Sequence, residues 1–340
     1  MITDKLLNET KFFIGPMSKN VVDSVVEFSN ETNAKIGFIP SRRQVDYLGG
    51  YVNNWDTRNF YEYVRKNSLS IPICRDHGGE NQGQVIDDGT KSFSVDCQYF
   101  DIIHVDPFRT SQDIKQAAEK TKIVIENLSV LNSNILYEVG TEEAIFKYQP
   151  KDLNFFLEYL KNNLSEKNFN QIKYAVVQSG TGLNLSTRTN TGTFNEDKLK
   201  KFIDVIKKYD LLTKEHNGDY LIDIQGIKSR FDLGLDAINI APEFGQIESE
   251  YYLDECKKDK TLFNKLYKIC YNSGKWKKWI TDIDTIRKDQ LIMTCCHYVL
   301  SDETFLKTIK SYFPNADKTI KENIKLKLNL LNEQTKSSCL

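Results

Sequence analysis

The order of apolar and amphipathic segments is the feature that most constrains the fold of this chain. From about residue 34 to residue 245, short apolar runs alternate with longer amphipathic stretches. Short apolar runs bounded by turn residues are typical of buried parallel strands. The pattern predicts strands at residues 34–40, 71–75, 101–105, 135–139, 172–177, 211–215 and 237–240.

Helices are predicted between these strands, because the intervening stretches repeat apolar residues at three- and four-residue spacing. They cover residues 57–66, 111–131, 153–164, 196–209 and 222–231. This alternation favours an α/β fold of the TIM (β/α)8 barrel type, with an open doubly wound sheet as the alternative. The sequence becomes helical and aromatic beyond residue 245, so we predict a barrel at 1–250 and a helical extension at 251–340 packed on it.

The segment at residues 80–99 is polar, contains two glycines and shows no clear period. Long loops without their own secondary structure are often functional in compact domains. We therefore predict an excursion over the mouth of the barrel that acts as a lid.

The composition excludes several classes of function. The net charge is -1, and no basic stripe gives a footprint for nucleic acid or for an anionic membrane. No apolar stretch reaches the roughly 18 residues of a membrane span, and no signal peptide is evident at the N-terminus. The sequence therefore predicts a cytoplasmic protein without nucleic-acid or membrane partners.

Two of the four histidines follow predicted strands directly. His77 comes after Asp76 and before two glycines, and His216 follows the strand at 211–215. Side chains at the carboxyl ends of parallel strands point toward the ligand-binding crevice of α/β proteins, where an imidazole can bind a metal or carry a proton. The simpler alternative is that each histidine only bonds a loop. Asp76 beside His77 favours acid–base chemistry next to a metal.

Further carboxylates follow the next two predicted strands. Alternation places His104 and Asp106 on one face, with Asp106 reaching the mouth. His104 is interpreted as a satisfied interior imidazole rather than a ligand. Glu138 and Glu142 follow on the fourth strand, where a carboxylate can complete a metal shell or act as a base, or else cap the next helix.

Several residues at the same ends are candidates for substrate binding. Arg42 or Arg43 could hold a phosphate in a forked geometry, or be a solvated charge pair. Gly180 lies among small residues that let backbone N–H groups approach an anion, although the same residues also form a simple turn. Asn239 could bond a sugar hydroxyl or tie the barrel interior.

Acyl transfer and nicotinamide chemistry are disfavoured, because the chain has neither a G-x-S-x-G elbow nor a G-x-G-x-x-G after a strand. A divalent metal held by imidazole and carboxylate could instead polarise the carbonyl of a keto sugar.

These motifs, in this order, resemble the class II D-tagatose-bisphosphate aldolase family, in its accessory or non-catalytic subunit branch, and the related ketose-phosphate epimerases. The matching segments span about residues 36–245, and together they are fairly specific. They are Gln44-Val-Asp-Tyr-Leu-Gly-Gly-Tyr51, Asp76-His77-Gly78, Ile103-His-Val-Asp106, Val139-Gly-Thr-Glu142, Val176-Val-Gln178 and Glu215-His-Asn-Gly-Asp-Tyr220.

The resemblance implies a TIM barrel, a phosphorylated ketose as substrate and a divalent metal, with Zn²⁺ as the expected ion. It implies that Asp76 is the acid–base residue, that His77 and His216 are metal ligands, and that Glu142 completes the shell or acts as a base. Asp106 is a further catalytic candidate. Gln44, Gln178 and Asp219 are expected to position the sugar, alongside the binding candidates Arg42, Gly180 and Asn239.

One departure from the catalytic aldolases leaves alternatives open. Gln178 stands where those enzymes have a third histidine before a Gly-x-x-Gly phosphate loop. Aldol cleavage and epimerisation by retro-aldol chemistry use the same parts, and both remain in view. The rivals are a non-catalytic subunit that stabilises a separate aldolase, and a metal-dependent ketose-phosphate isomerase. The possible protein partners are accordingly a second copy of the chain or a catalytic aldolase subunit.

Overall fold

The structure, a computed structural model, describes residues 2–141, 148–221 and 224–335, with the side chains of residues 224 and 225 left out. The strands in this part of the chain are β1 Phe12–Ile14, β2 Ile36–Phe38, β3 Cys74–Gly78, β4 Ile102–Val105, β5 Leu136–Val139, β6 Ile172–Val177, β7 Thr181–Asn184, β8 Thr189–Gly192, β9 Leu212–Glu215 and β10 Ala237–Ile240.

Eight of these strands form a parallel sheet in the order β2-β1-β10-β9-β6-β5-β4-β3. Parallel bridges from Phe38 to Ile73 and from Ser41 to Asp76 join the two edge strands. The sheet therefore closes into a barrel, which confirms the predicted TIM-type fold and excludes the open sheet. The remaining pair, β7 and β8, forms an antiparallel hairpin outside the barrel.

Helices surround the barrel and continue past it. They are α1 Asp4–Glu9, α2 Lys19–Thr32, α3 Thr57–Asn67, α4 Thr90–Tyr99, α5 Ile114–Leu131, α6 Pro150–Asn163, α7 Glu166–Asn170, α8 Glu196–Lys207, α9 Ile224–Asp232, α10 Pro242–Lys257, α11 Lys260–Asn272, α12 Lys288–Cys295, α13 Glu303–Thr308 and α14 Ala316–Gln334. None of the helices in the described ranges combines the length and the apolar character needed to cross a bilayer.

The C-terminal helices pack on the barrel. α10 follows the last barrel strand, so it is the eighth barrel helix, and the predicted boundary at residue 250 falls inside it. α11 and α12 pack on α10, and α14 returns to pack on α2, the first barrel helix. The extension thereby reaches the side of the barrel where the chain begins.

The barrel interior is apolar at its lower end and polar at its upper end. Phe13, Cys74, Ile102 and Tyr174 form the lower layer with the side chain of Leu7 from α1 beneath them. The Tyr174 hydroxyl donates to the Leu7 carbonyl at 3.1 Å, so α1 closes this end. Two residues further along β3 and β4, the same interior face carries the polar side chains of Asp76 and His104.

The segment predicted as a lid differs from the expectation in its second half. Residues 90–99 form α4, which packs on β3 and β4. Only residues 80–89 form a loop at the mouth, and Arg42 holds this loop through two hydrogen bonds to Asp87 of 2.8 and 2.6 Å. The loop is therefore anchored to the barrel rather than being a long free excursion.

A buried carboxyl joins three helices on the side of the extension. Glu248 of α10 accepts hydrogen bonds from Ser18 and Asn20 at the start of α2. The Asn20 amide also donates to Asp317 of α14 at 2.9 Å. Burial raises the pKa of Glu248 to about 7, Lys310 and the two hydrogen bonds lower it, and Asp317 raises it further.

We predict that Glu248→Gln is more stable than the wild type above pH 7. The folded-state pKa of Glu248 is about 7 and its reference value is 4.5. Between these pH values the folded protein therefore binds more protons than the unfolded chain does. Its contribution to stability then falls as pH rises from 4.5 to 7. Urea unfolding at a series of pH values should show that the free energy of unfolding of Glu248→Gln exceeds that of the wild type by up to about 3 kcal/mol above pH 7. The two free energies should converge at acidic pH.

The exposed Glu322 of α14 supplies the control, because Glu322→Gln removes one charge without removing a buried one. Equal pH profiles for the wild type and Glu248→Gln would contradict the prediction.

Candidate functional site

Three histidines meet over the barrel axis. His77 ends β3, His104 lies in β4, and His216 follows β9 from the opposite side of the barrel. Their ring centroids form a near-equilateral triangle of 5.1, 5.3 and 5.0 Å. The two histidines predicted as metal ligands therefore lie close enough to bind one ion.

A distortion at the end of β3 turns two successive side chains toward this point. The register between β3 and β4 shifts between Arg75 and Gly78, and His77 adopts a positive φ of 43°. In a regular strand Asp76 and His77 would point to opposite faces. The bulge and the left-handed conformation, which is costly for a residue other than glycine, direct both at the axis.

Asp106 orients the ring of His77. Its Oδ2 lies 2.6 Å from His77 Nδ1, and the same carboxylate accepts from the Phe108 N–H and from the Thr141 hydroxyl, each at 3.3 Å. The carboxylate accepts these hydrogen bonds, so Nδ1 carries the proton and Nε2 is the unprotonated nitrogen of the ring. That Nε2 lies 3.7 Å from Asp76 Oδ1.

Glu138 orients His216 in the same way. His216 Nε2 donates to Glu138 Oε1 at 2.6 Å, and the other ring nitrogen, Nδ1, lies 3.5 Å from Asp76 Oδ1. Glu138 also accepts from Lys214 Nζ at 2.6 Å and from Cys74 Sγ at 3.3 Å. Burial opposes the charge, but Lys214 and the imidazoles hold the pKa of Glu138 well below its usual value.

His104 supports the site without being a ligand. Its Nδ1 accepts the backbone N–H of His77 at 3.3 Å, and its Nε2 donates to the Gly140 carbonyl at 2.9 Å. Burial lowers its pKa, which keeps the ring neutral. Although His104, Glu138 and His216 also lie within ligand distance of one another, both nitrogens of His104 are occupied, as its interpretation as an interior imidazole predicts.

Asp76, His77 and His216 fit a divalent metal. One ligand atom from each lies within 4.8 Å of the other two. Two imidazole nitrogens and a carboxylate oxygen suit zinc or a similar ion. Each imidazole also bonds a carboxylate through its far nitrogen, the outer-shell arrangement typical of metal-bound histidines. The donor set and its tautomers therefore fit a divalent metal, the coarser part of the predicted cofactor.

Asp106 and Glu142 are the other two residues predicted to be catalytic. Asp106 is 1% exposed and lies behind His77, so it acts through His77 rather than on a ligand in the cleft. Glu142, predicted both as a metal ligand and as a catalytic residue, lies outside the described residues, and its role stays a prediction.

A cleft of about 270 Å³ opens above Asp76. Asn239, Gln44 and Asp219 line it, as predicted for substrate-binding residues. Asn239 is 6% exposed, and its amide nitrogen and oxygen find no partner in the described part of the chain. A buried amide without a partner is costly, so this side chain is suited to a ligand's hydroxyl groups.

Gln44, Gln178 and Asp219, which were also predicted to bind the substrate, form hydrogen bonds with other groups of the protein. Gln44 accepts from the Ser41 N–H at 2.7 Å and its Nε2 lies 2.8 Å from Met17 Sδ. Gln178 donates to the Thr141 carbonyl at 2.9 Å. Asp219 accepts from the Glu243 N–H at 2.8 Å at the start of α10, and burial followed by the Glu243 charge raises its pKa to about 7.

Arg42 has a structural role instead of the predicted phosphate-binding role. It is fully buried and its donors go to Asp46, Asp87 and the Gly79 carbonyl. No N–H group is left for a phosphate, whereas the adjacent Arg43 is exposed and lines the cleft.

Gly180 also differs from the expectation. Its φ is +93°, and a Cβ there would lie 2.6 Å from the Thr193 carbonyl. Ser179 and Thr181 direct their hydroxyls at Glu215. This turn therefore starts the β7–β8 hairpin, and the small residues serve chain reversal rather than an anion.

Sequence reasoning missed the part of the cleft that comes from the extension. Lys278, Trp279 and Tyr298 line it alongside Tyr51 from the barrel. The Trp279 indole donates to the Tyr298 hydroxyl at 3.1 Å, and Tyr51 packs edge-on against Tyr298 at 4.9 Å. The aromatic content of the extension was the available signal, but it did not show which rings reach the site.

We predict that Asp106→Asn and Glu138→Gln each weaken zinc binding about 10- to 100-fold, because each removes a carboxylate that fixes a ligand imidazole. Competition with a chelating dye would measure the affinity. Glu215→Gln is the matched control, since Glu215 is an equally buried carboxylate on the opposite face of β9, paired with Arg230. An equal loss in the control would contradict a specific role for the two carboxylates.

Comparisons with known proteins relate the chain to others through its fold. No protein-family model and no curated protein sequence matches it. Among solved structures, a probable tagatose 6 phosphate kinase from Sinorhizobium meliloti 1021 matches with a TM-score of 0.64 and 14% identity, covering 93% of this chain and 86% of the other. The YdjI aldolase from Escherichia coli K12 matches with a TM-score of 0.60 and 14% identity, covering 99% and 100%.

The fructuronate-tagaturonate epimerase UxaE from Cohnella laeviribosi matches with a TM-score of 0.63 and 10% identity, covering 95% of this chain and 81% of the other. At these identities the comparisons establish architecture. The chain shares the barrel fold of an aldolase and an epimerase of the kind that its sequence motifs resemble.

Proposed function

We propose that this chain is a metal-dependent enzyme that breaks a carbon–carbon bond of a phosphorylated ketose by retro-aldol chemistry, to cleave the sugar or to epimerise it. The observation that carries the proposal is the position of Asp76 Oδ1, within 3.7 Å of one imidazole nitrogen and 3.5 Å of another. The aldolase and epimerase folds among the matching structures support the same chemistry.

His77 and His216 hold the metal in this proposal, with Asp76 beside them. A divalent cation there, zinc by its donor set, supplies Lewis acidity for the ketose carbonyl. Glu142 keeps its predicted role in the metal shell or as a base.

Asp76 moves the proton. Its Oδ1 faces both imidazoles, so its second oxygen, Oδ2, is assigned to the hydroxyl whose oxygen becomes a carbonyl when the bond breaks. Retro-aldol cleavage transfers that proton to the base, and re-addition of the fragment to the opposite carbonyl face returns it.

The surrounding residues orient the substrate and limit water. Asn239 offers an amide donor and acceptor to the sugar hydroxyls, and Gln44 lines the same cleft. Trp279 and Tyr298 cover the cleft from the side of the extension and give an apolar surface for the sugar carbons.

One observation favours a second candidate function. Gln178 replaces the third histidine of the catalytic aldolases, and its amide donates to the Thr141 carbonyl. A non-catalytic subunit would tolerate this replacement. Assay of the purified chain alone, with metal, on fructose 6-phosphate and related ketose phosphates separates the candidates, because only the enzyme turns them over without a partner.

We predict that His77→Ala reduces both bound metal and turnover to background, since it removes one of two imidazole ligands. Elemental analysis and the ketose-phosphate assay would measure the two effects. His297→Phe is the control: this buried imidazole belongs to the extension, and its loss should leave the metal content unchanged. Turnover that survives in His77→Ala would remove the proposal.

We predict that Asp76→Asn lowers kcat by about 10²- to 10⁴-fold while the chain keeps most of its metal. The amide retains an oxygen donor but cannot accept the hydroxyl proton. Product formed in D₂O adds a further distinction: carbon-bound deuterium in a product with the intact carbon chain would favour the isomerase alternative, whereas in aldol cleavage the released enediolate is itself protonated at carbon by solvent. Unchanged kcat in Asp76→Asn would show that another group moves the proton.

A further inference from the structure

The loop at residues 80–89 contributes one polar side chain to the cleft above Asp76. Gln82 is 9% exposed and lines that cleft. Gln84, two residues further along, is exposed and does not line it. Gln82 is therefore the part of this loop that a ligand bound in the cleft would meet.

Arg109 determines the orientation of the Gln82 amide. Arg109 belongs to the short helix Phe108–Thr110 after β4, and its Nη1 donates to Gln82 Oε1 at 3.2 Å. A guanidinium only donates hydrogen bonds, so the amide atom that it meets is the oxygen. Exchanging the two amide atoms would set two donors against each other. The donor end of the amide, Nε2, is thus the end left for a ligand.

This donor is unused within the protein. Gln82 Nε2 is buried and has no hydrogen-bond partner in the part of the chain that the structure describes. A buried N–H group without a hydrogen bond is costly, so it needs an acceptor from elsewhere. Asn239 of β10 lines the same cleft and likewise lacks described partners for its amide. Because β2 and β1 separate β3 from β10 in the closed barrel, the two amides approach a ligand from different directions.

Contacts with the barrel hold Gln82 in place. The Asn81 N–H donates to the Asp87 carbonyl at 3.0 Å, which closes the loop on itself, and Arg42 binds the Asp87 carboxylate. A Cβ on Gly83, the residue after Gln82, would lie 3.0 Å from Arg42 Nη2. The backbone on both sides of Gln82 is therefore anchored, which reduces the entropy that a ligand must remove on binding.

We propose that Gln82 is a specificity-determining residue of the cleft, whose Nε2 donates a hydrogen bond to one hydroxyl oxygen of a ketose substrate. This inference rests on the proposed function, because the sugar must lie in the cleft with its reacting carbons at Asp76. A neutral donor held in one orientation recognises an acceptor by its position rather than by its charge. A sugar that lacks the matching oxygen is rejected, since it displaces water and leaves the buried donor unpaired.

Titration with deoxy sugars tests this assignment without turnover. Asp76→Asn provides the background, because it should bind the sugar while consuming it slowly. Fructose 6-phosphate and analogues that each lack one hydroxyl group would be titrated by calorimetry, with and without Gln82→Met. With Gln82 present, we expect one analogue to bind at least about tenfold more weakly than fructose 6-phosphate. In Gln82→Met that analogue should bind within about threefold of fructose 6-phosphate.

The comparison separates a direct contact from a structural role. Gln82→Met also removes the acceptor of Arg109, a change that would weaken the binding of every analogue by a similar factor. Only a lost hydrogen bond gives a penalty that depends on which hydroxyl is absent. Gln82→Glu supplies a second variant, because it keeps an oxygen for Arg109 and removes the donor, and it should abolish the same penalty. Gln84→Met is the matched control, since Gln84 lies in the same loop outside the cleft lining, and it should preserve the penalty.

The outcomes distinguish this proposal from the proposed function. A chain that binds fructose 6-phosphate, but shows the same analogue penalties with and without Gln82, overturns the role of Gln82 alone. A position-dependent penalty that requires Gln82, in a chain whose wild type turns over no ketose phosphate, supports the contact and contradicts the enzymatic function. A chain that binds no ketose phosphate overturns both.

Discussion

The site depends on a buried ion pair, Lys214 with Glu138, below the cleft. Both side chains are fully buried, and removing two charges from water is costly unless their hydrogen bonds are satisfied. Here Glu138 receives three donors, and the Lys214 ammonium lies 3.6 Å from the centre of the Phe13 ring. Because the ionised Glu138 accepts a hydrogen bond from Nε2 of His216, the proton of this imidazole lies on Nε2. Lys214, which does not line the cleft, thereby keeps Nδ1 of His216 as the unprotonated ring nitrogen on the side of Asp76.

The second constraint is the distorted end of β3. The bulge turns Asp76 and His77 toward the axis, while Arg75 points outward and pairs with Asp96 of α4, with both side chains fully buried. Arg75 also donates to the carbonyls of Pro40 and Val45, so it binds β3 to the loop after β2. The strained backbone conformation of His77 is thus stabilised by contacts of Arg75 on the outer face of the barrel, away from the cleft.

The sequence predicted the strands that had enough residues to show a pattern. β1 was missed because Phe12–Ile14 lies before residue 34, where the regular alternation of apolar and amphipathic segments begins, and α4 was missed because its apolar face is weak. His77 and His216 were correctly brought together, since strand ends meet at one rim of a barrel. The partner of each ring could not be predicted, because Glu138 and Asp106 come from strands whose register along the barrel is not written in local sequence.

Arg42 and Arg43 show where sequence reasoning stops for charged residues. The two are adjacent and equal in charge, but they differ in what surrounds them after folding. Arg42 is surrounded by Asp46, Asp87 and a carbonyl, and therefore serves to anchor the loop at residues 80–89. Arg43 is exposed, lines the cleft above Asp76 and forms no ion pair with any residue that the structure describes. The C-terminal extension adds Lys278, Trp279 and Tyr298 to the lining of the same cleft, so the surroundings of Arg43 are set by residues that are distant in the sequence.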